Sequence, residues 1–208
     1  MTDKAKAAAN RKAREERKEA HLRAMFERYA ERFRAATHQD APTVARETHN
    51  AIELVLERDR KRDANSAHIK CRKGCVHCCH EPVEIWPQEA GLLIEAAREA
   101  GVKLDGARLE RQSRYTVATW REQPAADTAC VFLGNDGACK VYEHRPNACR
   151  KLLVMTDPDF CDAGKHPPEK VGRWFSWEAE ILESAALEVL GVGLMPQLLL
   201  AALKTDNC

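Results

Sequence analysis

The cysteines of this chain are crowded into two short stretches, which limits the fold more than any other feature does. The chain has 208 residues and nine cysteines. The first cysteine segment (residues 71–79) has the pattern Cys71-x3-Cys75-x2-Cys78-Cys79. The second cysteine segment (residues 130–149) has the pattern Cys130-x8-Cys139-x9-Cys149. Thiolates are soft ligands for zinc, copper(I) and iron–sulfur clusters, so this density predicts a metal-binding centre.

The composition describes a helical chain with balanced charge. Lys and Arg number 33 against 32 Asp and Glu, so nothing indicates a general binder of nucleic acid. Aromatic residues make up 6%, and 10 Gly and 9 Pro are too few for a disordered or all-β chain. The length suits one domain with a core plus an appendage.

The chain ends give no sign of export or of membrane insertion. The N-terminal residues alternate in charge and lack the apolar core of a secretory signal. The most apolar stretch, residues 189–203, contains Pro196 and is too short to span a bilayer. We therefore expect a cytoplasmic location with no membrane contact. In that reducing compartment disulfides are disfavoured, and clustered cysteines indicate metal binding or catalysis.

Apolar periodicity predicts a mainly α fold, in which a small helical domain carries a cysteine-rich centre built from loops and a hairpin. Residues 1–36 are predicted as a charged N-terminal arm, helical from about residue 17, that is solvated or binds a protein partner, RNA or a membrane surface. Residues 37–204 are predicted as the cysteine-cluster domain. Residues 83–85 are predicted to be extended. The predicted helices of this domain cover residues 40–65, 87–100, 105–122, about 174–189 and 194–203. Asp40 is the predicted N-cap of the first of these helices, and Gly101 follows the end of the second.

The first cysteine segment predicts more than one simple mononuclear site. A Cys-x2-Cys pair presents two sulfurs from one turn, and Gly74 lets the backbone bend close to a metal. Cys78 and Cys79 are neighbours, so their side chains diverge and cannot both reach one ion without strain. The pair indicates two centres that share the loop, or a cluster larger than one ion. His77 and His80 are expected beside the centre or in solvent rather than as ligands.

The second cysteine segment reads as a hairpin followed by a return of the chain. Residues 131–133 and 140–142 are the predicted arms, and Asn135-Asp136-Gly137 is the predicted turn. This places Cys130 across from Cys139. The chain after the hairpin is predicted to return and to bring the Cys149 thiol to the other two. Cys161 is an eighth candidate ligand, whereas the terminal Cys208 stands outside the pattern as a free thiol.

Charged residues flank both segments. Cations near a polythiolate site lower thiol pKa values and offset its negative charge. Arg145 and Arg150 are predicted to support the ligands from behind, through hydrogen bonds to sulfur or to backbone carbonyls, although ordinary surface charge is the alternative. Three acidic residues near the first segment are expected to be solvated or helix-capping rather than ligands: Glu81, Glu84 and Glu89.

The order of these motifs resembles the YkgJ-type CxxCxxCC cysteine-cluster family, known as a zinc- or iron-chelating domain. Besides the cysteine patterns, the chain has Phe132-Leu133, Tyr142 and Arg145-Pro146-x-x-Cys149-Arg150 in the family's order, over residues 68–161. The resemblance implies a metal or iron–sulfur domain, and some relatives are called iron–sulfur oxidoreductases. The N-terminal helices and the C-terminal part lie outside it.

The main hypothesis is a metal-binding protein whose two segments together hold an iron–sulfur cluster or zinc, with iron–sulfur preferred because of the adjacent cysteine pair. Eight ligands are predicted: Cys71, Cys75, Cys78, Cys79, Cys130, Cys139, Cys149 and Cys161. The alternatives are metal storage or delivery, a thiol redox enzyme that uses Cys75-x-x-Cys78, and an adaptor stapled by metal. No catalytic constellation is visible, so an enzymatic role, including iron–sulfur oxidoreductase, stays open.

Overall fold

The computed structural model describes residues 3–162, 164–166 and 170–205, and its architecture is mainly α, as predicted. Short 3-10 turns link several of the elements. The helices of the described residues are, in chain order, α1 (Asp3–Ala35), α2 (Ala41–Arg62), α3 (Pro87–Glu99), α4 (Gly106–Gln112), α5 (Val117–Trp120), α6 (Ala125–Thr128), α7 (Asn147–Lys151), α8 (Trp177–Leu190) and α9 (Met195–Thr205).

Two pairs of very short antiparallel strands tie distant parts of the chain together. Strand β1 (Glu84–Ile85) pairs with β4 (Gly193–Leu194), and β2 (Leu153–Val154) pairs with β3 (Arg173–Trp174). Each pair joins two loops and is too short to form a sheet with a buried face, so the helices form the apolar cores.

The first core lies where α1, α2 and α8 pack together. One of its two buried tryptophans, Trp86, lies at the entrance to α3. Phe33 of α1, Ile52 of α2 and Leu182 of α8 pack around it with 4%, 0% and 1% of their surfaces exposed. The C-terminal half of α1 is therefore part of this core. Whether residues 1–36 act as a separate arm stays a prediction.

The second core lies between α3, α4, α9 and the second cysteine segment. Leu93, Leu109, Phe132 and Leu199 are all almost completely buried in it. Since apolar surface at a helix face must be covered by another element, α9 closes the side of α3 that α2 leaves open.

The cysteines lie at the boundary of the two cores. Cys71 packs against the first core, whereas Cys130 and Cys139 pack against the second. Residues far apart in sequence therefore meet because two separately buried apolar clusters position their loops.

Local capping signals explain which predicted helix boundaries the structure confirms and which it contradicts. The Asp40 side chain accepts a hydrogen bond from the Thr43 N–H and caps α2, and Gly101 ends α3 at φ +64°, both as predicted. The predicted helix over 105–122 is wrong, because a capping box between Thr116 and Thr119 starts a new helix, α5. Helix α1 also begins well before residue 17.

Candidate metal centre

The two cysteine segments meet around one cavity. This cysteine cavity has a volume of about 220 Å³. Seven thiol-bearing residues line it: Cys71, Cys75, Cys78, Cys79, Cys130, Cys139 and Cys149. The eighth predicted ligand, Cys161, lies next to it and lines a smaller cavity of about 60 Å³ together with Cys78. These eight cysteines are free thiols, and Cys208 falls outside the described residues.

Strand β2 anchors the start of the first segment. The Lys70 N–H donates to the Val154 carbonyl at 2.7 Å, and the Val154 N–H donates to the Cys71 sulfur at 3.1 Å. Gly74 then turns the chain at φ +88°, a conformation that favours glycine. A 3-10 turn over His77–His80 follows and carries the adjacent cysteine pair.

The second segment forms the predicted turn, with Gly137 at φ +70° and a 2.9 Å hydrogen bond from the Gly134 N–H to the Ala138 carbonyl. Its arms are not the predicted strands: they share a single bridge, between Leu133 and Cys139. The backbone leaves the extended region at Val141, with φ −119° and ψ 36°, because a 3-10 turn begins there.

A backbone hydrogen bond joins the two cysteine segments. The Cys130 N–H donates to the Cys79 carbonyl at 2.8 Å. This bond fixes the turn of the second segment against the adjacent cysteine pair of the first. Cys149 comes from a different direction, on the short helix α7 that begins after Pro146.

Burial and mutual repulsion keep these thiols protonated when no cation is near. Desolvation raises the pKa of Cys130 to about 12 and that of Cys161 to about 11, and other cysteines of the group add to both shifts. The pKa of Cys149 rises for the same reasons. So many thiolates can form side by side only where positive charge offsets theirs, which a soft metal would supply.

The thiols surround the cavity rather than meet at one point. Among residues 3–162, 164–166 and 170–205, no three Cys, His, Asp or Glu side chains already stand at the spacing of a metal-ion site. A donor set of seven sulfurs around an open space fits a group with several metal atoms better than it fits one tetrahedral ion.

Histidine takes no part in the wall of the cysteine cavity. His77 and His80 instead line a neighbouring cavity of about 300 Å³ with Glu81 and Arg121. The His80 ring nitrogen Nδ1 lies 3.1 Å from the Ala125 carbonyl oxygen. This placement agrees with the expectation that the two histidines stand beside the centre.

Arg150 supports the second segment through its backbone. Its side chain is only 6% exposed, and it donates to the carbonyls of Arg145, at 2.8 Å, and of Glu143. A third hydrogen bond of 2.8 Å runs to the carboxylate of Glu53 on α2. The contacts are thus to carbonyls rather than to sulfur, and they fix the loop that leads into Cys149.

Arg145 covers one side of the cavity. Its guanidinium stacks on the Tyr142 ring, 4.1 Å from the ring centre, and donates to the Tyr142 carbonyl at 2.9 Å. Its charge lowers the pKa of Cys139, against the larger raising effect of burial. Arg60 acts on the pKa of Cys71 in the same direction. Positive charge therefore faces the thiols from two sides.

A buried polar cluster behind Cys149 was missed by sequence reasoning. Glu89 is 1% exposed, so it is not solvated, but its carboxylate accepts the N–H of the first residue of α7 and so takes the helix-capping role that was the other expectation. One carboxylate oxygen, Oε1, lies 2.8 Å from His49 Nε2 and accepts the Asn147 N–H at 2.7 Å. Burial raises the pKa of Glu89 to about 8 and lowers that of His49 to about 3. The pair therefore holds one proton between its two side chains.

We expect this shared proton to make stability fall between pH 6.5 and 8. Over that range the folded pair keeps its proton while the unfolded Glu and His hold none, so the free energy of unfolding drops by up to about 1.4 kcal/mol per pH unit. Between pH 4.5 and 6.5 folded and unfolded pairs each hold one proton, and the pair contributes no slope.

Glu89→Gln, which keeps the shape but cannot ionise, should remove the decline above pH 6.5. Urea denaturation at a series of pH values measures this decline in the free energy of unfolding. Glu84→Gln, at an exposed position on β1, is the control and should keep the decline. An unchanged slope in Glu89→Gln would show that the pair is not the cause.

A family model matches the cysteine region of the chain. Residues 70–166 match the CxxCxxCC model, described as "Putative zinc- or iron-chelating domain". This segment, 97 of the 208 residues, is similar to the CxxCxxCC domain. The CxxCxxCC domain includes all eight clustered cysteines, and the match supports metal binding and confirms the resemblance seen in the sequence. No curated protein and no solved structure matches the chain.

None of the helices in the described part of the chain combines the length and apolarity needed to cross a bilayer.

Proposed function

We propose that this chain is a metal protein whose two cysteine segments together hold an iron–sulfur centre that serves a redox role. The observation that carries the proposal is the convergence of seven thiols on one cavity of about 220 Å³. Four sulfurs already satisfy a mononuclear zinc site, so seven are more than one zinc ion needs. When bound, such a cluster would supply one-electron transfer.

The surroundings of the thiols favour a centre with net negative charge. Arg60, Arg72, Arg145 and Arg150 all line the cysteine cavity. A cluster bound by several thiolates is anionic, and nearby guanidinium groups offset that charge and tune its potential. The protein's own contribution is thus to hold the thiols, to exclude water from the more buried of them and to balance their charge.

The environment of Cys78 argues against a thiol redox enzyme using Cys75 and Cys78. Reactive cysteines of that kind have a lowered pKa. Here a hydrogen bond between the Cys78 and Cys79 thiols, together with burial, raises the pKa of Cys78. The two residues also lie in a loop and a 3-10 turn, outside any βαβ unit among the described residues.

Anaerobic purification followed by visible spectroscopy and elemental analysis tests the proposal. We expect iron and sulfide in the protein, with visible absorption that bleaches on reduction. Colourless protein with stoichiometric zinc would overturn the iron–sulfur assignment but not metal binding. Metal that is lost readily to a mild chelator would instead favour storage or delivery, and protein without metal would overturn metal binding itself.

Cys149→Ser should lower the metal content, since it removes a thiol that lines the cysteine cavity. Cys208→Ser, outside both segments, is the matched control and should retain the full content. Equal metal in the two variants would contradict the shared use of the two segments.

A further inference from the structure

A groove of about 440 Å³, called here the aromatic groove, lies between α1, the end of α2 and the start of α8. It shares no lining residue with the cysteine cavity in the described part of the chain. Two aromatic side chains stand in its wall, Phe175 with 48% and Trp177 with 55% of its surface exposed. Their rings meet edge to face with centres 4.8 Å apart, so flat apolar surface is open to solvent there.

The carboxylates of the aromatic groove are engaged within the protein. They belong to Asp59, Asp63 and Glu178. Both oxygens of each carboxylate accept a hydrogen bond from another group of the protein, at 2.6–2.9 Å. Arg58 donates to two of these carboxylates, Asp59 and Glu178, and is thereby paired. A ligand in the groove therefore meets few free acceptors.

The basic side chains that remain in the aromatic groove are Lys18, His21 and Arg62. None of the three forms an ion pair with a carboxylate among the described residues. The Lys18 ammonium lies 4.6 Å from the centre of the Trp177 ring. The groove thus combines available donors and aromatic rings with acceptors that are already occupied. This combination suits a ligand that carries negative charge and flat rings.

Helix α1 extends the row of basic side chains beyond the groove. The row consists of Arg11, Arg14, Lys18 and His21. Steps of three, four and three residues place these side chains on one face of the helix. Over residues 11–21 one carboxylate, Glu15, stands at the edge of that face. At 1.5 Å per residue the row is about 15 Å long, so it can follow a strand of several nucleotides.

We propose that the aromatic groove and this row of α1 bind single-stranded nucleic acid. Bases stack on Phe175 and Trp177, and phosphates pair with Lys18 and the other basic side chains. The balanced total charge does not conflict with this, because the acids of the groove are neutralised locally. A membrane surface would also attract the cations, but the apolar side of α1 is packed into the first core at Ala30 and Phe33.

Fluorescence anisotropy of a labelled oligouridine with the full-length protein tests the proposal. We expect binding that weakens as salt rises, by about 0.7 in the log–log slope for each phosphate neutralised. An RNA duplex of the same length should bind more weakly despite its higher charge density, because paired bases cannot stack on the rings. Equal binding of strand and duplex, binding of neither, or binding to phosphatidylserine vesicles but not to oligouridine would overturn the proposal.

Two substitutions at exposed positions separate stacking from charge, with circular dichroism to verify folding. Trp177→Ala should weaken oligouridine binding about tenfold and leave the salt slope unchanged. Lys18→Gln should instead flatten the slope by about 0.7. The matched controls are Leu54→Ala, at an apolar residue that is 68% exposed, and Lys204→Gln on α9. Both lie outside the groove and should bind as the wild type does. Equal affinity in Trp177→Ala and Leu54→Ala would show that the rings are not the site.

Photo-crosslinking of a thiouridine-containing strand to the wild-type protein does not depend on how a variant folds. We expect mass spectrometry to locate crosslinks at Phe175 or Trp177. Crosslinks confined to residues outside the groove and outside the row of α1 would contradict the proposal. Neither readout involves bound metal, so a negative result here leaves the proposed metal centre unaffected, and a metal-free protein leaves this inference unaffected.

Discussion

Arg150→Ala is expected to lower the free energy of unfolding by about 3–5 kcal/mol. The side chain is 6% exposed and is hydrogen-bonded to the carbonyls of Glu143 and Arg145 and to the Glu53 carboxylate. In the alanine variant, both carbonyls and the carboxylate lose the guanidinium as hydrogen-bond donor at a site that is partly shielded from water. Glu53 is 38% exposed and can recover some hydration, which favours the lower end of the range.

Urea denaturation of the purified protein measures this loss. Arg121→Ala is the matched control, because Arg121 forms a pair with Glu81 at 2.8 Å but is 52% exposed. Exposed pairs contribute about 1 kcal/mol or less. Arg150→Lys should recover little, since an ammonium cannot reach two carbonyls and a carboxylate as the planar guanidinium does. Equal losses in Arg150→Ala and Arg121→Ala would show that the buried contacts do not stabilise the loop.

Metal loading at pH 7 is expected to release about one proton for each thiol that becomes a ligand. The pKa of Cys130 is raised to about 12 and that of Cys161 to about 11, so both are protonated before metal binds. Protons and metal compete for the same sulfurs. Affinity should therefore fall as pH falls, about tenfold per pH unit for each thiol ligand.

Titration of apoprotein with metal in weakly buffered solution, with an indicator dye, counts the released protons. Cys71→Ser should release fewer than the wild type, and Cys208→Ser should release the same number. Binding without proton release would mean that the thiols are not the ligands, whatever the metal content.

Much of the helical layout was predictable because its signals are local. The Asp40 cap, the apolar stripe of α2 and the glycine after α3 each act within a few residues, so sequence alone places them. The break between α4 and α5 was not predicted. Its signal is the pair Thr116 and Thr119, and threonine also occurs inside helices, so the capping box is evident only once the side chains are placed.

The buried polar cluster shows a different limit. His49 and Glu89 lie on helices α2 and α3, and the apolar pattern of either helix alone does not predict that these residues are buried. They are buried because α7 covers them and presents the Asn147 N–H to Glu89. Burial of these side chains by a third helix depends on long-range packing, which the local spacing of residues does not predict.

The sequence by itself determined the donor chemistry of this protein: many thiols, two segments, and one adjacent pair. Those properties follow from residue type and from the covalent spacing of the chain. Only the tertiary structure decided which thiols face one another, because Cys71 is positioned by the first core and Cys130 and Cys139 by the second. The hydrogen bond that joins the two segments, from the Cys130 N–H to the Cys79 carbonyl, depends on how those two cores pack.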